Sequence, residues 1–583
     1  MLEKLNSLPP WLFKLGTIIA VGLTLITYVF CWPLKPLVWF WPIALLVITM
    51  AVLITIHDRQ MLTLGLTLIL LAGCYVLQGG SSGPEISQSA TRVITRLFAL
   101  IFLIGAIYFA AIYRKIKNKV NANINRVVNK GNSNEIQHPR VKICENSHGV
   151  KQYLEGKDRY LHTLLIGSTG TGKTSAVLAP MVWQDLMNLK RGNPLGITVV
   201  APDAEFVHQV KDWCNNLCIP CTIIDLDDPN TCKFNPLEGD ATIVAEIMRS
   251  VLRNVFGEQD AFFSQAQELH AKNTMLLLKR LMGNDLSLLD VYKALMDIED
   301  VQNQVDRYEE HYGEDVVTIY FKKEAFGRNK DKLHQFAMGL RMQISDMLTN
   351  QTIYNVLVGR SDINLDQHMA EGGVLLFNTA LGKMGHMSKV FGQFLIMHLQ
   401  NAVFRRPGNE FTRIPQYLYI DELPVYFNPE LQDLLNMGRK YRCACTFTIQ
   451  GPAQLENGKQ GKSIRKIIFN GCRNKIVIGI EDSEDAKLIS ELFGQKEENE
   501  VRKSRSRFEV FPHSYSETAK LVPRFPYTDV MELEEWHGLV KLTQNGHNQE
   551  PIEGIFEEPW VFQAKVAKEI ERIPRHKILL PQQ

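Results

Sequence analysis

Gly167-Ser168-Thr169-Gly170-Thr171-Gly172-Lys173-Thr174 constrains the fold more than any other stretch of this chain. It fits the pattern G-x-x-x-x-G-K-[ST], which carries meaning only between a buried strand and a helix. Both flanks meet that condition: Leu161 to Ile166 is an apolar run, and the residues after Thr174 read as a helix. The glycines let backbone N–H groups turn inward around phosphates, and the helix offers its positive N-terminus to the same anion. In that arrangement Lys173 reaches the β- and γ-phosphates and the Thr174 hydroxyl ligates a metal ion. The expected ligands are ATP and Mg²⁺. The bland alternative is a glycine-rich turn that binds nothing.

A loop of this kind needs a parallel sheet behind it, and the sequence supplies one. From Tyr160 onward apolar runs alternate with helical stretches: Leu161 to Ile166, Ile197 to Ala201, Cys221 to Leu226, Gly373 to Phe377, Tyr417 to Ile420, Cys445 to Ile449 and Lys475 to Ile480. That alternation predicts an α/β fold, a parallel sheet covered by helices. Between Asp240 and Met369 the strand signals lapse. Gln265 to Leu281 and Asp331 to Met347 carry apolar residues at helical spacing, which predicts an all-α insertion.

Tyr417-Leu418-Tyr419-Ile420-Asp421-Glu422 is an apolar strand ending in two carboxylates. On a strand adjacent to that of the glycine-rich loop, Asp421 would lie near Mg²⁺ and Glu422 near an attacking water, as general base. The run Cys445 to Ile449 ends in Gln450, whose amide could touch both the γ-phosphate and that water, or could simply end a strand. Upstream, Gly438-Arg439-Lys440 and Arg442 place cations near a helix end. Arg439 is a candidate arginine finger acting on a neighbouring subunit, with a solvated helix end as the alternative.

The first 113 residues differ from the rest. Trp11 to Trp32, Leu37 to Ile56, Met61 to Leu77 and Leu97 to Tyr113 are apolar runs of about 17 to 22 residues, each long enough for a ~30 Å hydrocarbon core. They predict four transmembrane helices, with a two-span or three-span anchor as the alternative. Arg114, Lys115, Lys117, Lys119 and Arg126 after the last run would put everything beyond it in the cytoplasm, although Arg92 and Arg96 sit awkwardly in an external loop. The expected localisation is the inner, cytoplasmic membrane, multi-pass, with the motor domain in the cytoplasm. The expected division is a transmembrane anchor at 1–117, a polar linker at 118–150, a nucleotide-binding domain at 151–239 and 370–563, the all-α insertion at 240–369 and a tail at 564–583.

Composition adds limits. With 22% charged and 45% hydrophobic residues the chain is an ordinary folded protein, and a net charge of +2 favours no class of partner. Cys214, Cys218, Cys221 and Cys232 are spaced C-x3-C-x2-C-x10-C, which argues for reduced thiols over a zinc knuckle.

The ordered set is the phosphate loop with Pro180, Phe234-Asn235-Pro236-Leu237, the helical insertion, Asp421-Glu422-Leu423, Gly438-Arg439-Lys440, and Gln450 with Gln454-Leu455. Together with the apolar N-terminal runs it resembles the type IV secretion coupling proteins, the TraG/TraD-like conjugative DNA-transfer ATPases, over nearly the whole chain. The resemblance implies a RecA-like motor domain, a homo-hexameric ring on the membrane, and an all-α domain that meets DNA and its attached relaxase. By matching position it makes Arg439 similar to the family's finger and Gln450 to its sensor. Relaxosome proteins and components of the secretion channel are the implied partners. The sequence departs from the family at Pro202-Asp203-Ala204-Glu205, where Asp-Pro-Lys-Gly-Glu is common, and in having four apolar runs where many members have two. Arg502, Lys503, Arg505 and Arg507 fall in a stretch resembling the family's variable hairpin, which could line a DNA channel or be a solvated loop.

The expected function is an ATPase that uses hydrolysis to drive DNA translocation, coupling a DNA or relaxase-DNA substrate to the secretion channel. An FtsK-type chromosome translocase is one alternative, disfavoured because neither a long Pro/Gln-rich linker nor a C-terminal winged helix is visible. A docking receptor with little motor activity is another, and would show weak turnover that DNA fails to stimulate.

Overall fold

Strands buried on both faces must lie inside a sheet covered by helices, and such strands form the middle of an eleven-stranded sheet. The computed structural model describes residues 138–256, 261–328, 330–456, 461–504 and 514–573. In chain order the strands are β1 (Val141–Asn146), β2 (Lys151–Leu154), β3 (Thr163–Ile166), β4 (Gly196–Ala201), β5 (Cys221–Asp225), β6 (Gly373–Asn378), β7 (Gln416–Ile420), β8 (Cys443–Ile449) and β9 (Asn474–Val477). An antiparallel pair, β10 (Gln495–Ser504) and β11 (Ser514–Pro523), follows, then β12 (His537–Lys541), β13 (Thr543–Gln544), β14 (His547–Asn548) and β15 (Ile552–Ile555).

The sheet order is β2-β1-β15-β12-β9-β3-β8-β7-β4-β6-β5. From β9 to β5 every pairing is parallel, whereas β12, β15, β1 and β2 extend the sheet antiparallel beyond β9. These antiparallel strands were not legible as such. Val141–Asn146 falls within the stretch read as linker, yet it pairs with Ile552–Ile555 from near the other end of the chain.

Period-two alternation sorts side chains between two cores. Leu164 and Ile166 of β3 and Cys445, Phe447 and Ile449 of β8 face one core; Leu165 and Ala444 face the other. The second core is covered by the helices Ala179–Lys190 and Ala204–Leu217 and by Phe562 and Val566 of Pro559–Arg572. Between β5 and β6 the described residues form only helices, among them Ala241–Phe256, Ala261–Met282 and Lys330–Thr349. Their apolar residues, such as Met275, Leu277, Leu340 and Ile344, join the first core continuously with the sheet.

Phe234-Asn235-Pro236-Leu237 is bonded to an interior turn of this helical stretch and to a residue near its far end. The Asn235 amide nitrogen donates to the Leu286 carbonyl at 2.8 Å, its backbone N–H donates to Ser361 Oγ at 2.9 Å, and Leu237 N–H donates to Asn235 Oδ1 at 2.9 Å. His398 Nε2 lies 2.8 Å from the Pro236 carbonyl, and the Phe234 ring meets Phe391 and His398 edge-on.

The multi-pass membrane localisation expected from the sequence is corrected: among the described residues no helix is long and apolar enough to cross a membrane. Two of the helices near that length show the physical reason. Ala261–Met282 carries Glu268, Lys272, Lys279 and Arg280, and His386–Arg405 carries Lys389, Gln393, Gln400 and Arg405, charges and amides that hydrocarbon would not accept. The four apolar runs between residues 11 and 113, and the anchor of 1–117 built from them, lie outside the described residues. So do Arg505 and Arg507.

Candidate active site

The glycine-rich loop leaves β3 at Ile166 and enters a helix at Lys173. Gly167 must be glycine because a Cβ there would stand 2.2 Å from the Ile478 carbonyl oxygen. Gly170 and Gly172 adopt φ of +82° and +86°, the left-handed region that glycine enters without strain. Lys173–Leu178 is wound as a π-helix before Ala179–Lys190 continues in α geometry. Pro180, which has no N–H to give a carbonyl one turn earlier, sits just after this wider turn. Lys173 is buried, with Nζ donating to the carbonyls of Gly167 at 2.6 Å and Ser168 at 3.0 Å. Burial lowers its pKa below the usual lysine value, against the opposing pull of Glu422 and Asp421.

β8, not β7, is the direct neighbour of β3, so the strand bearing Asp421 is one place further away than the sequence reading supposed. The gap is bridged by side chains. Thr174 Oγ1 donates to Asp421 Oδ2 at 3.0 Å, and Thr448 of β8 donates its hydroxyl to Asp421 Oδ1. Burial raises the Asp421 pKa, the two threonine hydrogen bonds lower it in part, and the charges of Glu422 and Asp203 raise it further. A carboxyl held in this way, with a threonine hydroxyl beside it, is an oxygen donor set suited to a hard cation.

Glu422 stands at φ +52°, a strained conformation for a glutamate, and its N–H donates to Thr448 Oγ1 at 2.7 Å. Two amides hold its carboxylate: Gln450 Nε2 donates to Oε1 at 3.2 Å and Gln454 Nε2 to Oε2 at 3.4 Å. Gln454 Oε1 in turn accepts from the Gln450 backbone N–H at 2.9 Å. Ser168, Thr169, Gln450, Gln454, Asp482 and Asp485 line a cleft of about 360 Å³. At one end of the sheet the structure therefore brings together Gly167 to Thr174, Asp421, Glu422 and Gln450.

Arg439 is not among them. It lies in the short turn Gly438–Tyr441 that leads into β8 and is exposed, whereas Gln450 follows the opposite end of that strand. Seven residues at ~3.3 Å each separate the two by roughly 20 Å. Arg442, grouped with Arg439 in the sequence, is fully buried and donates to the carbonyls of Glu410 and Arg413.

Sequence reasoning missed Thr448. The available signal was a hydroxyl two residues before Gln450, on the face of β8 shared with Ala444, and hence toward the loop. It also missed a buried clamp. Arg159 donates to both Asp185 oxygens at 2.8 and 2.6 Å and to Tyr419 Oη at 2.9 Å, with its guanidinium 3.5 Å above the Tyr417 ring. Asp185 belongs to the helix after the loop and Tyr419 to the strand of Asp421. Removing one partner of such a pair costs about 3–5 kcal/mol, so the clamp sets the loop helix firmly against the carboxylate strand.

Comparison with known proteins meets this geometry at two points. Residues 415–535, which include Asp421, Glu422 and Gln450, match the family described as the TraM recognition site of TraD and TraG. The fold matches that of a bacterial conjugative coupling protein, TrwBdeltaN70 in its unbound monoclinic form, with a TM-score of 0.52 and 17% identity, covering 71% of this chain and 88% of the other. It also matches plasmid coupling protein TrwB in complex with the non-hydrolysable GTP analogue GDPNP and in complex with ADP and Mg²⁺, each with a TM-score of 0.50, 16% identity, and coverage of 73% of this chain and 96% of that one. No curated protein sequence matches. The chain thus resembles the type IV coupling proteins, in sequence over residues 415–535 and in fold over about seven-tenths of its length.

Proposed function

We propose that the chain is a P-loop ATPase acting as a coupling protein in conjugative transfer, using hydrolysis to drive DNA translocation toward a type IV secretion channel. The observation that supports this most is the contact of Thr174 with Asp421, which joins the phosphate loop to a carboxylate pair whose second member is held by two amides. Lys173 would leave the loop carbonyls to meet the β- and γ-phosphates. Thr174 and Asp421 would hold Mg²⁺, which when bound neutralises developing phosphate charge. Glu422 would take the proton of the attacking water, a role for which its fixed carboxylate is suited. Gln450, bonded to Glu422, would report the state of the γ-phosphate through that bond. Arg439, roughly 20 Å away by the length of β8, could serve only a neighbouring subunit, which requires a homo-oligomeric ring and suits a hexamer.

The segment 415–535 would also recognise a relaxosome protein, since it matches the family described as the TraM recognition site of TraD and TraG. The helices of 240–369 would meet the DNA or relaxase substrate, with 151–239 and 370–563 as the RecA-like motor.

ATP turnover by the purified protein with and without single- and double-stranded DNA tests the proposal, with Lys173→Ala as control. Turnover that DNA stimulates and Lys173→Ala abolishes is expected. Weak turnover indifferent to DNA would instead favour a docking receptor.

A further inference from the structure

Two tryptophans at the mouth of the phosphate loop take no part in the scheme above. Trp536 lies directly on the loop: a Cβ on Gly172 would stand 2.5 Å from Trp536 Cζ3. Its backbone has φ +64°, uncommon for a bulky residue, and is held there by the Trp536 carbonyl accepting from Phe556 N–H at 2.8 Å. Trp560 meets Trp536 edge-to-face, with ring centroids 5.7 Å apart at 86°, yet is 57% exposed. The helix that carries Trp560 is fastened to the P-loop helix. Trp183 Nε1 donates to Glu569 Oε2 at 3.0 Å, and Phe562 packs on Trp213, which itself packs on Trp183.

Burial explains Trp536 in part. It does not explain why the larger part of a second indole remains in water beside a loop built for phosphates. Phosphates seated on Gly172 and Lys173 leave the base of a nucleotide to project past the loop. A ring corner rigidly tied to the loop helix offers that base a flat apolar face.

We infer that Trp536 and Trp560 form the platform on which the base of the bound nucleotide stacks, Trp560 supplying the open face and Trp536 fixing it to the loop. The inference rests on the nucleotide reading of the site. Stacking on an indole tolerates any base, so purine identity would matter little.

Calorimetric titration of the full chain with ATP and with tripolyphosphate, which has no base, tests the platform. Trp560→Ala should weaken ATP about tenfold, the loss of one stacked base, and leave tripolyphosphate unchanged, while Trp560→Phe should retain most of the ATP affinity. The tryptophan fluorescence of the unaltered protein should be quenched by ATP and not by tripolyphosphate, which decides the matter even if a variant fails to fold. Undiminished ATP binding by Trp560→Ala, equal loss of both ligands, or no base-dependent quench overturns the platform alone. If the unaltered protein binds neither ligand, the nucleotide reading falls and the platform with it.

Discussion

At the C-terminal end of β8, polar side chains pair with one another: Gln450 and Gln454, which line the cleft, on Glu422, and Thr174 with the buried Thr448 on the buried Asp421. At its N-terminal end, arginines are spent on backbone carbonyls. Arg406 donates to the carbonyls of Tyr441 and Ile414, Arg413 to those of Lys440 and Arg406, and Arg442 to those of Glu410 and Arg413. Burial pushes the Arg406 pKa down to about 10. The difference teaches how to read polar residues in a sheet protein. Groups beside the cleft, Lys173 on its loop carbonyls included, can exchange their partners for a ligand, whereas the arginines fixed on carbonyls at the far end hold the loops they touch. Arg439 is the exception at the second end, exposed amid its fixed neighbours.

That exception gives the largest expected effect. If Arg439 completes a neighbour's site, Arg439→Ala should lower turnover by about 10³-fold or more and leave the nucleotide affinity of separate subunits nearly intact. Mixed with unaltered protein it should depress activity more steeply than its fraction in the mixture. A strictly proportional fall would assign Arg439 to the same scaffolding role as the other arginines at that end.

Arg442→Met should act only on stability. It leaves the Glu410 and Arg413 carbonyls without the guanidinium that now serves them, at a cost of about 2–4 kcal/mol, seen as a lower denaturant midpoint. Unchanged stability would remove the contrast between the two ends.

A further effect follows from pH. His162, at the N-terminal edge of β3, accepts the Cys445 N–H on Nδ1 at 3.0 Å and donates from Nε2 to the Leu435 carbonyl at 3.2 Å. Burial pushes its pKa down to about 4. The unfolded chain takes up a proton near pH 6.5 that the folded site refuses, so the stability is complete above about 6.5 and is lost as pH falls toward 4, by up to about 1.4 kcal/mol per pH unit. His270, His368 and His398 are pushed down to about 4 by burial in the same way and add to the slope. His162→Gln should flatten the dependence of the denaturant midpoint on pH over that window. An unaltered slope would exclude the histidine.

The parallel strands were legible because burial on both faces leaves an apolar run between turn signals, as in Ile197 to Ala201, found as Gly196–Ala201. Thr163–Ile166 begins two residues later than its apolar run because Gly156–Leu161 closes as a 3₁₀ turn. The antiparallel extension was not legible. Lys151–Leu154 and Ile552–Ile555 are short and polar on one side, and the strand between them, Val141–Asn146, joins a local hairpin to a strand about 400 residues away. At the site, residues set by a local motif could be read directly, whereas Thr448, Arg159 and Trp536 could not. Each owes its position to a strand or helix remote in sequence, Trp536 to a loop more than 350 residues upstream.

Glu422 carries the proposed hydrolytic step, and its removal as a base is the most direct test. Glu422→Gln keeps the shape and one acceptor oxygen of the side chain but cannot take a proton from water. ATP affinity and turnover measured on the same preparation should show binding within a few-fold of the unaltered protein and turnover lost by orders of magnitude. Comparable turnover by Glu422→Gln would contradict the assignment of this edge of the sheet as the hydrolytic site.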